Sequence, residues 1–405
     1  MNNKDAPGYG TGLGPICWKC RGEKIVTKKR KRTSTNKTKT TNKTKTATNT
    51  IASPINSTTT TTTKCTVCKG KGRLPIKTKE ANAATQPGRI TQLRDRPSVW
   101  LTNLDQITKQ RLSLQPVGNP NNIPRLAPAN GEELTGLVGD FRIFQKVGGH
   151  RWSTEDLCTG YYANQICREM NIVPHKILDL GTGLASVALS CKWLWPNAEI
   201  VGIEAQPTSF GLAQRSVEYN TGSTNGLKLI NADIRDHVVL ASVASSTQDE
   251  KKDNDGVGFD LVTGTPPYFK LDDQMIPLQG GMPSCINSAP ARNEFRGGIE
   301  IYCEAAAKTI KANKPIVITM AYQLERVIKA GKAAGLKMVR RLEVCGKVGK
   351  RPLFACFCFV KNNLESQGDG DEEKDCLVET IYVRGLDNQR TKEYNKVLET
   401  MGIPP

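Results

Sequence analysis

The sequence predicts an α/β domain, a mostly parallel, doubly wound sheet with helices on both faces, behind a basic N-terminal arm. Three observations lead to this prediction: short apolar strands alternate with helical patterns from about residue 176, a Gly-x-Gly turn follows the first strand, and successive strands end in an acid. This alternation is typical of folds that bind a ligand at the carboxyl ends of parallel strands.

The elements follow one another regularly. The first apolar strand ends in the Gly-x-Gly turn, a helical pattern follows, and the second and third strands end in Glu204 and Asp233. In chain order the predicted elements are the strand 176–180, the helix 184–195, the strand 199–204, the helix 208–219, the strand 227–233 and the strand 259–264.

The turn Gly181-Thr-Gly183 after Asp179 predicts a nucleotide-like ligand, because glycines let the backbone approach a ligand closely. Glu204 lies where a carboxylate can bind both hydroxyls of a ribose. Two ligands fit this arrangement, a dinucleotide or S-adenosylmethionine. Alanine at position 185 breaks the dinucleotide fingerprint.

The fourth strand runs into Thr265-Pro-Pro-Tyr-Phe269, which resembles the Asn-Pro-Pro-Tyr motif of amino-group methyltransferases. A conjugated amine is a poor nucleophile, so an enzyme must hold its hydrogens with acceptors and aim the nitrogen. The Thr265 oxygen and the Pro266 carbonyl supply two acceptors, and the prolines fix the loop. Tyr268, with Phe269, would stack on an extruded base.

Residues 139–405 resemble the bacterial tRNA1(Val) adenine N6-methyltransferase family, which implies a class I methyltransferase with a seven-stranded Rossmann-like sheet and S-adenosylmethionine as cofactor. The resemblance implies the following roles by position: Asp179, Gly181 and Gly183 at the methionine part of the cofactor, Glu204 at its ribose, Asp233 at its adenine, and Thr265, Pro266, Pro267 and Tyr268 at the target base. Arg292 and Arg296 either bind substrate phosphates or only begin a helix. Threonine at 265, where the family carries asparagine, puts activity or base choice in question.

The formal charge of +18 lies in the first part of the chain. Residues 1–150 contain 27 basic and 8 acidic side chains, whereas residues 151–405 contain 30 and 31. A basic arm on a neutral body indicates an acidic partner, with RNA as the first candidate, or a nuclear localisation signal.

Two Cys-x-x-Cys pairs, Cys17 with Cys20 and Cys65 with Cys68, each precede a glycine. Two such turns can supply the four thiolates of a tetrahedral structural zinc, and they are similar to the knuckles of DnaJ-type zinc modules. Unrelated surface cysteines or a redox pair are the alternatives. Thirteen cysteines in all favour a reducing compartment over a disulfide framework.

The sequence divides into a zinc-knuckle module with a disordered Lys/Thr-rich insertion (1–75), a linker with short helical pieces (76–133) and a methyltransferase domain (134–405). It has no apolar run long enough for a membrane-spanning helix and no signal-peptide core. We therefore expect an intracellular protein of the nucleus or cytoplasm that does not bind a membrane. The oligomeric state is left open.

The expected activity is S-adenosylmethionine-dependent methyl transfer to adenine N6 in structured RNA, first of all tRNA. Two alternatives remain: methyl transfer to a glutamine amide of a protein, or a noncatalytic RNA-binding subunit in which Thr265 and Ala185 mark lost function.

Overall fold

The structure of the protein is a computed structural model, which describes residues 25–29, 60–64, 85–223, 226–246, 257–272, 288–361 and 376–405. Two compact units divide the chain. The larger contains residues 77–272 and 277–405, and the smaller contains residues 1–76 and 273–276.

The larger unit is built on an eight-stranded sheet. Its strands, in chain order, are β6 (Lys176–Leu180), β7 (Glu199–Ile203), β8 (Leu227–Ile230), β9 (Leu261–Gly264), β10 (Ile316–Ala321), β11 (Leu336–Cys345), β12 (Pro352–Lys361) and β13 (Leu377–Tyr382). Their spatial order is β13-β11-β12-β10-β9-β6-β7-β8.

Strands β6 to β10 are mutually parallel, and β12 runs antiparallel between β10 and β11. This confirms the predicted Rossmann-like methyltransferase sheet. The prediction of seven strands was one short, because β13 adds an eighth at the edge by pairing in parallel with β11.

Ten helices accompany the strands in the described ranges. They are α1 (Ser98–Asn103), α2 (Gln106–Leu112), α3 (Thr154–Glu169), α4 (Ser186–Leu194), α5 (Pro207–Thr221), α6 (His237–Ser245), α7 (Ser288–Arg292), α8 (Ile299–Thr309), α9 (Leu324–Ala333) and α10 (Lys392–Thr400), with a 3-10 turn at Pro124–Leu126.

Neighbouring residues of β6 show why helices cover both faces. Ile177 belongs to one apolar core with α3, α4, α5 and α10, while Leu178 belongs to a second core with α6, α8 and α9. Successive side chains of a strand point to opposite faces, so a strand buried on both sides is a continuous apolar run. The predicted helices on both faces are therefore confirmed.

The segment predicted as a linker is part of the body as far as the structure describes it, from residue 85. A second sheet pairs β3 (Arg89–Ile90) with β4 (Glu132–Gly136) and β4 with β5 (Arg142–Lys146). Trp100 of α1 and Leu112 of α2 are buried in the first core. A few large apolar side chains suffice to anchor this segment, although its overall composition is that of a loop.

In the smaller unit, β1 (Ile25–Lys29) pairs antiparallel with β2 (Thr60–Lys64), so that Ile25 lies opposite Lys64. Both strands lie within the Lys/Thr-rich insertion that the sequence predicts to be disordered. Cys17, Cys20, Cys65 and Cys68 lie outside the described residues.

Within the described ranges, no helix is long and apolar enough to cross a membrane. The eight cysteines described there are all free and buried. Cys345, Cys356 and Cys358 are among them, in the strands where the sequence predicts small buried apolar side chains.

Candidate functional site

A cavity of about 860 Å³ opens at the edge of the large sheet where the parallel strands end. Eleven residues that the sequence singles out line it: Gly181, Gly183, Glu204, Asp233, Thr265, Pro266, Pro267, Tyr268, Phe269, Arg292 and Arg296. Nine of them come from the loops that follow β6, β7, β8 and β9, which the parallel strand order brings to one edge. Arg292 and Arg296 come from the end of α7 and the turn after it. The sheet topology thus assembles in space what the sequence spreads over more than 110 residues.

The glycine turn after β6 forms the floor of one half of the cavity. Gly181 and Gly183 have φ values of +60° and +59°, which favour glycine. A Cβ on Gly181 would overlap the hydroxyl of buried Tyr302. The Thr182 N–H donates to the Ile203 carbonyl at 2.9 Å, which ties the turn to β7.

Asp179 lies below this turn and does not line the cavity. Its carboxylate accepts hydrogen bonds from the Thr182 hydroxyl at 2.5 Å and the Thr263 hydroxyl at 2.7 Å, and only 2% of the residue is exposed. Burial raises the pKa of this carboxyl to about 6, against the opposing effect of the two hydroxyls. In this structure Asp179 supports the shape of the turn, whereas the sequence predicted a direct place beside the cofactor.

Glu204 directly follows β7 and lines the cavity, with 6% of the residue exposed. Its carboxylate accepts the Gly183 N–H at 2.9 Å and the Gln206 N–H at 2.6 Å. Burial raises the pKa of Glu204, and these two backbone hydrogen bonds oppose the shift. The carboxylate is therefore fixed in orientation next to the glycine turn.

Asp233 lies farther along the same wall, after β8. Arg235 binds it at 2.8 Å and Arg296 at 3.4 Å. Burial opposes ionisation, but the hydrogen bonds from Arg235 prevail, so the pKa of Asp233 is lowered. Arg296 is thus held by a carboxylate at the cavity wall, an arrangement that the sequence did not predict.

The loop Thr265–Phe269 forms the opposite half of the cavity. The N–H groups of Tyr268 and Phe269 both donate to the Arg292 carbonyl, at 3.1 and 3.0 Å. The Gln323 amide donates to the Tyr268 carbonyl at 3.3 Å. Pro266 is buried, and Thr265 is half-buried at the cavity wall. Backbone contacts on both sides therefore hold the loop in one conformation.

Aromatic and cationic groups meet beside this loop. The Arg292 guanidinium lies over the Phe269 ring, 5.5 Å from its centroid. His150 also lines the cavity, and its burial, with the charge of Arg292, lowers its pKa to about 4. The imidazole is thus neutral at physiological pH. Burial raises the pKa of the Tyr268 phenol well above its usual range, so this ring stays uncharged as well.

Two acids at the start of α3, Glu155 and Asp156, also line the cavity. They belong to the segment 151–157, which resembles the part of the tRNA1(Val) adenine N6-methyltransferase family that closes over the cofactor. Asp156 accepts the Ser153 N–H at 2.7 Å as part of a capping box. Burial raises the pKa of its carboxyl to about 7, helped by the charge of Glu155 and opposed by hydrogen bonds with Ser153 and Ser186. The Ser-x-x-Asp pattern signals a helix start, but not that this helix points at the cavity.

Among the described residues, no group of three or more His, Cys, Asp or Glu side chains could hold a metal ion. The four cysteines predicted as zinc ligands lie outside those residues. The structure therefore leaves the zinc prediction untested.

No family model matches the chain. It is similar to the tRNA1(Val) (adenine(37)-N6)-methyltransferase of Histophilus somni strain 129Pt, with 23% identity over 260 residues, or 64% of this chain and 93% of the relative. A shorter similarity, 30% identity over 108 residues, links it to the release factor glutamine methyltransferase of Escherichia coli K12, covering 27% of this chain and 32% of the relative.

Two solved structures match part of the chain at low identity. A predicted O-methyltransferase from Agrobacterium tumefaciens matches 57% of this chain and 90% of its own, with 13% identity and a TM-score of 0.38. An S-adenosylmethionine-dependent methyltransferase from Clostridium acetobutylicum matches 52% and 93%, with 13% identity and a TM-score of 0.33.

Proposed function

We propose that this chain, which is a class I S-adenosylmethionine-dependent methyltransferase, transfers a methyl group to the N6 atom of adenine in structured RNA. The first substrate to test is tRNA. The observation that carries this proposal is the Thr265–Tyr268 loop. It follows β9, lines the cavity, and is held rigidly by the Arg292 carbonyl and the Gln323 amide.

The cavity fits S-adenosylmethionine. The turn carries no side chain at Gly181, where Tyr302 approaches it closely. The Glu204 carboxylate is held beside the same turn, in a position to bind the hydroxyls of the cofactor's ribose. Glu155, and Asp156 when it is ionised, add negative charge to the wall, which suits a cationic cofactor. When bound, the cofactor supplies an electrophilic methyl group on a sulfonium. No metal ion or covalent enzyme intermediate is needed for such a transfer.

The residues of the loop would prepare the amine. The Thr265 hydroxyl and the Pro266 carbonyl would accept the two hydrogens of the target NH₂ group and aim its nitrogen into the cavity. Pro266 and Pro267 lack N–H groups, so the loop offers the amine no competing donors there. Its fixed backbone means that little freedom is lost when the base binds, and such positioning is a large part of catalysis.

The rest of the pocket suits a flat, extruded base. Tyr268 and Phe269 offer ring faces, Arg292 lies over Phe269, and His150 stays neutral. A base taken out of its stack is commonly held between such groups in enzymes that modify nucleobases. The basic arm and the Histophilus somni relative further support RNA as the substrate.

A glutamine amide in a protein is the second candidate. The Escherichia coli relative acts on release factors by its name, and an amide NH₂ makes the same demands on the Thr265–Tyr268 loop. The basic arm argues against this candidate, because its positive charge attracts an acidic polymer such as RNA.

Incubation of the protein with methyl-labelled cofactor and either total RNA or total protein separates the candidates. We expect label in RNA that nucleoside analysis identifies as N6-methyladenosine. Label in protein would support the glutamine candidate. Label in neither, with normal cofactor binding, would favour a noncatalytic RNA-binding subunit. Label on another nucleoside would refute the proposed chemistry.

We further propose that Cys17, Cys20, Cys65 and Cys68 bind one structural zinc ion in an intracellular protein of the nucleus or cytoplasm. Their spacing supports this proposal, since two Cys-x-x-Cys turns match a tetrahedral thiolate site. Metal analysis of the purified full chain should find about one zinc per chain, and the C65S/C68S variant should contain none. A zinc-free wild-type chain would refute the site.

A further inference from the structure

Two loops outside the candidate active site lie at the same edge of the sheet as its cavity. β12 runs antiparallel to β10, so its start at Pro352 lies where β10 ends at Ala321. Cys345, the last residue of β11, pairs with both Pro352 and Tyr382. The loop 346–351 and the loop 383–390 therefore leave the sheet on the cavity side.

Contacts join the two loops to each other and to the cavity. The Val348 N–H donates to the Arg384 carbonyl at 2.9 Å, and the Lys347 ammonium donates to the Asn388 side chain at 2.8 Å. Leu353, two residues after the first loop, lines the main cavity although 63% of it is exposed. The two loops form one continuous surface that reaches the cavity mouth.

This surface, which we call the basic rim, carries Lys347, Lys350, Arg351, Arg384 and Arg390. None of these five has a carboxylate partner among the described residues, in contrast to ten arginines elsewhere in the larger unit that form ion pairs. The nearby Asp387 carboxylate accepts the Gln389 N–H at 3.0 Å and stabilises its own turn.

Unpaired cations at one edge matter because residues 151–405 are nearly neutral overall. A random distribution would mix both signs, as the ion pairs elsewhere do. Exposed like charges repel one another, so their concentration at the cavity edge costs stability unless an anion binds there.

A second cavity, of about 400 Å³, lies within the basic rim. It is lined by Arg384, Gln389, Arg390, Asn395 and Pro405. Two guanidinium groups with neighbouring amide side chains suit phosphate oxygens, since arginine offers several donors in a fixed plane. The rim therefore combines a line of charge with a recess for an anion.

We propose that the basic rim binds the phosphate backbone of the RNA substrate and directs the strand across β12 and β13 toward the cavity. This inference rests on the proposed function in taking RNA as the ligand. It assigns to the catalytic body a share of the RNA affinity that the charge distribution would place wholly in the N-terminal arm.

The test compares full-length variants for binding to unfractionated tRNA between about 50 and 300 mM salt. The pairs K350Q/R351Q and R384Q/R390Q should each weaken binding and lower the slope of log affinity against log salt by roughly 2, about 1 per lost phosphate contact. Cofactor affinity should not change. The pair K329Q/K332Q on α9, which leads back to the opposite edge at the start of β11, is the matched control and should keep the wild-type slope.

The charge-preserving variant K350R/R351K should bind RNA as the wild type does, which separates charge from loop folding. The inference would be overturned if the rim variants kept the wild-type salt slope, or if the control pair lowered the slope as much as the rim pairs do. The outcome is independent of the reaction: adenine methylation with an unchanged slope refutes only the rim, whereas rim-dependent binding without adenine methylation refutes only the proposed function.

Discussion

Gly181→Ala is the change that tests the cofactor half of the cavity most directly. Gly181 lies in the turn after β6 with a φ of +60°, and its Cα faces the ring of Tyr302 on α8. An added Cβ would overlap the Tyr302 hydroxyl and lie 2.9 Å from its ring carbon Cζ. Tyr302 is 8% exposed and packs in the second core, so it has little room to withdraw.

The expected loss of stability in Gly181→Ala is the sum of two effects. A left-handed backbone costs an alanine about 1–2 kcal/mol. The added Cβ would lie 2.0 Å from the Tyr302 hydroxyl oxygen. Since non-bonded heavy atoms prefer separations of about 3.5–4.0 Å, the tyrosine side chain would have to move by about 1.5–2.0 Å, and overpacking of this kind costs about 1–3 kcal/mol. We expect a loss of roughly 2–5 kcal/mol in the free energy of unfolding. If the turn moves instead of the ring, cofactor affinity falls at least about tenfold, the equivalent of 1.4 kcal/mol.

The assay pairs urea unfolding with calorimetric titration of S-adenosylmethionine. Gly335→Ala is the control, because Gly335 has a φ of +71° but open space around a Cβ. It should cost only about 1 kcal/mol of stability and leave cofactor binding unchanged. Adding Tyr302→Phe to Gly181→Ala should restore part of the loss. A Gly181→Ala variant with wild-type stability and affinity would show that the turn does not depend on this contact.

Three further predictions concern the target loop, pH and the core. Thr265→Ala should lower turnover at least about tenfold, the value of one hydrogen bond, without changing cofactor affinity, and Thr265→Asn should stay active. The Asp156 carboxyl, whose pKa burial raises to about 7, is protonated below that pH, so affinity for the cationic cofactor should fall from pH 8 to pH 6, and Asp156→Asn should flatten this dependence. Lys311→Ala should cost about 3–5 kcal/mol of unfolding free energy, because it leaves the Asp260 carboxylate, paired with it at 3.0 Å, buried without a cation.

Each of these has a contrary outcome. Unchanged turnover in Thr265→Ala, or an inactive Thr265→Asn, would remove the assigned role of that side chain. An Asp156→Asn variant with the wild-type pH dependence would mean that another group titrates. Lys314→Ala, a half-buried neighbour of Lys311, should cost less than about 0.5 kcal/mol, and an equal loss in both variants would show that the Lys311–Asp260 pair is not the cause.

Local pattern was sufficient for the strands and turns that build the site. A few consecutive residues are enough to recognise the apolar run ending at Leu180, the Gly-x-Gly turn and the Pro-Pro loop. The parallel topology then places these features at one edge of the sheet. Nine of the eleven predicted residues that line the cavity were found in this way, whereas Arg292 and Arg296 were found through the family resemblance.

Patterns averaged over long stretches were less informative. The sequence predicts a linker at residues 76–133 because Pro, Asn and Gln dominate them, yet Trp100 and Leu112 are buried in the core. The ladder of Ile25–Lys29 with Thr60–Lys64 joins strands 30 residues apart within a biased segment. For the predicted linker, two buried apolar side chains, and not the mean composition, decide the structure.

By itself, the sequence determined the α/β class, the succession of strands and helices along the chain from residue 176 to 264, and which loops carry acids, glycines and prolines. Those features depend on neighbours in the chain. Only the tertiary structure decided that Asp179 lies beneath the turn, that Asp156 faces the cavity, that Asp233 holds Arg296, and that the cations of two distant loops form the basic rim. The burial of a side chain and its ion pairs depend on the groups that pack around it. Those groups come from distant parts of the chain, so the local sequence does not predict them.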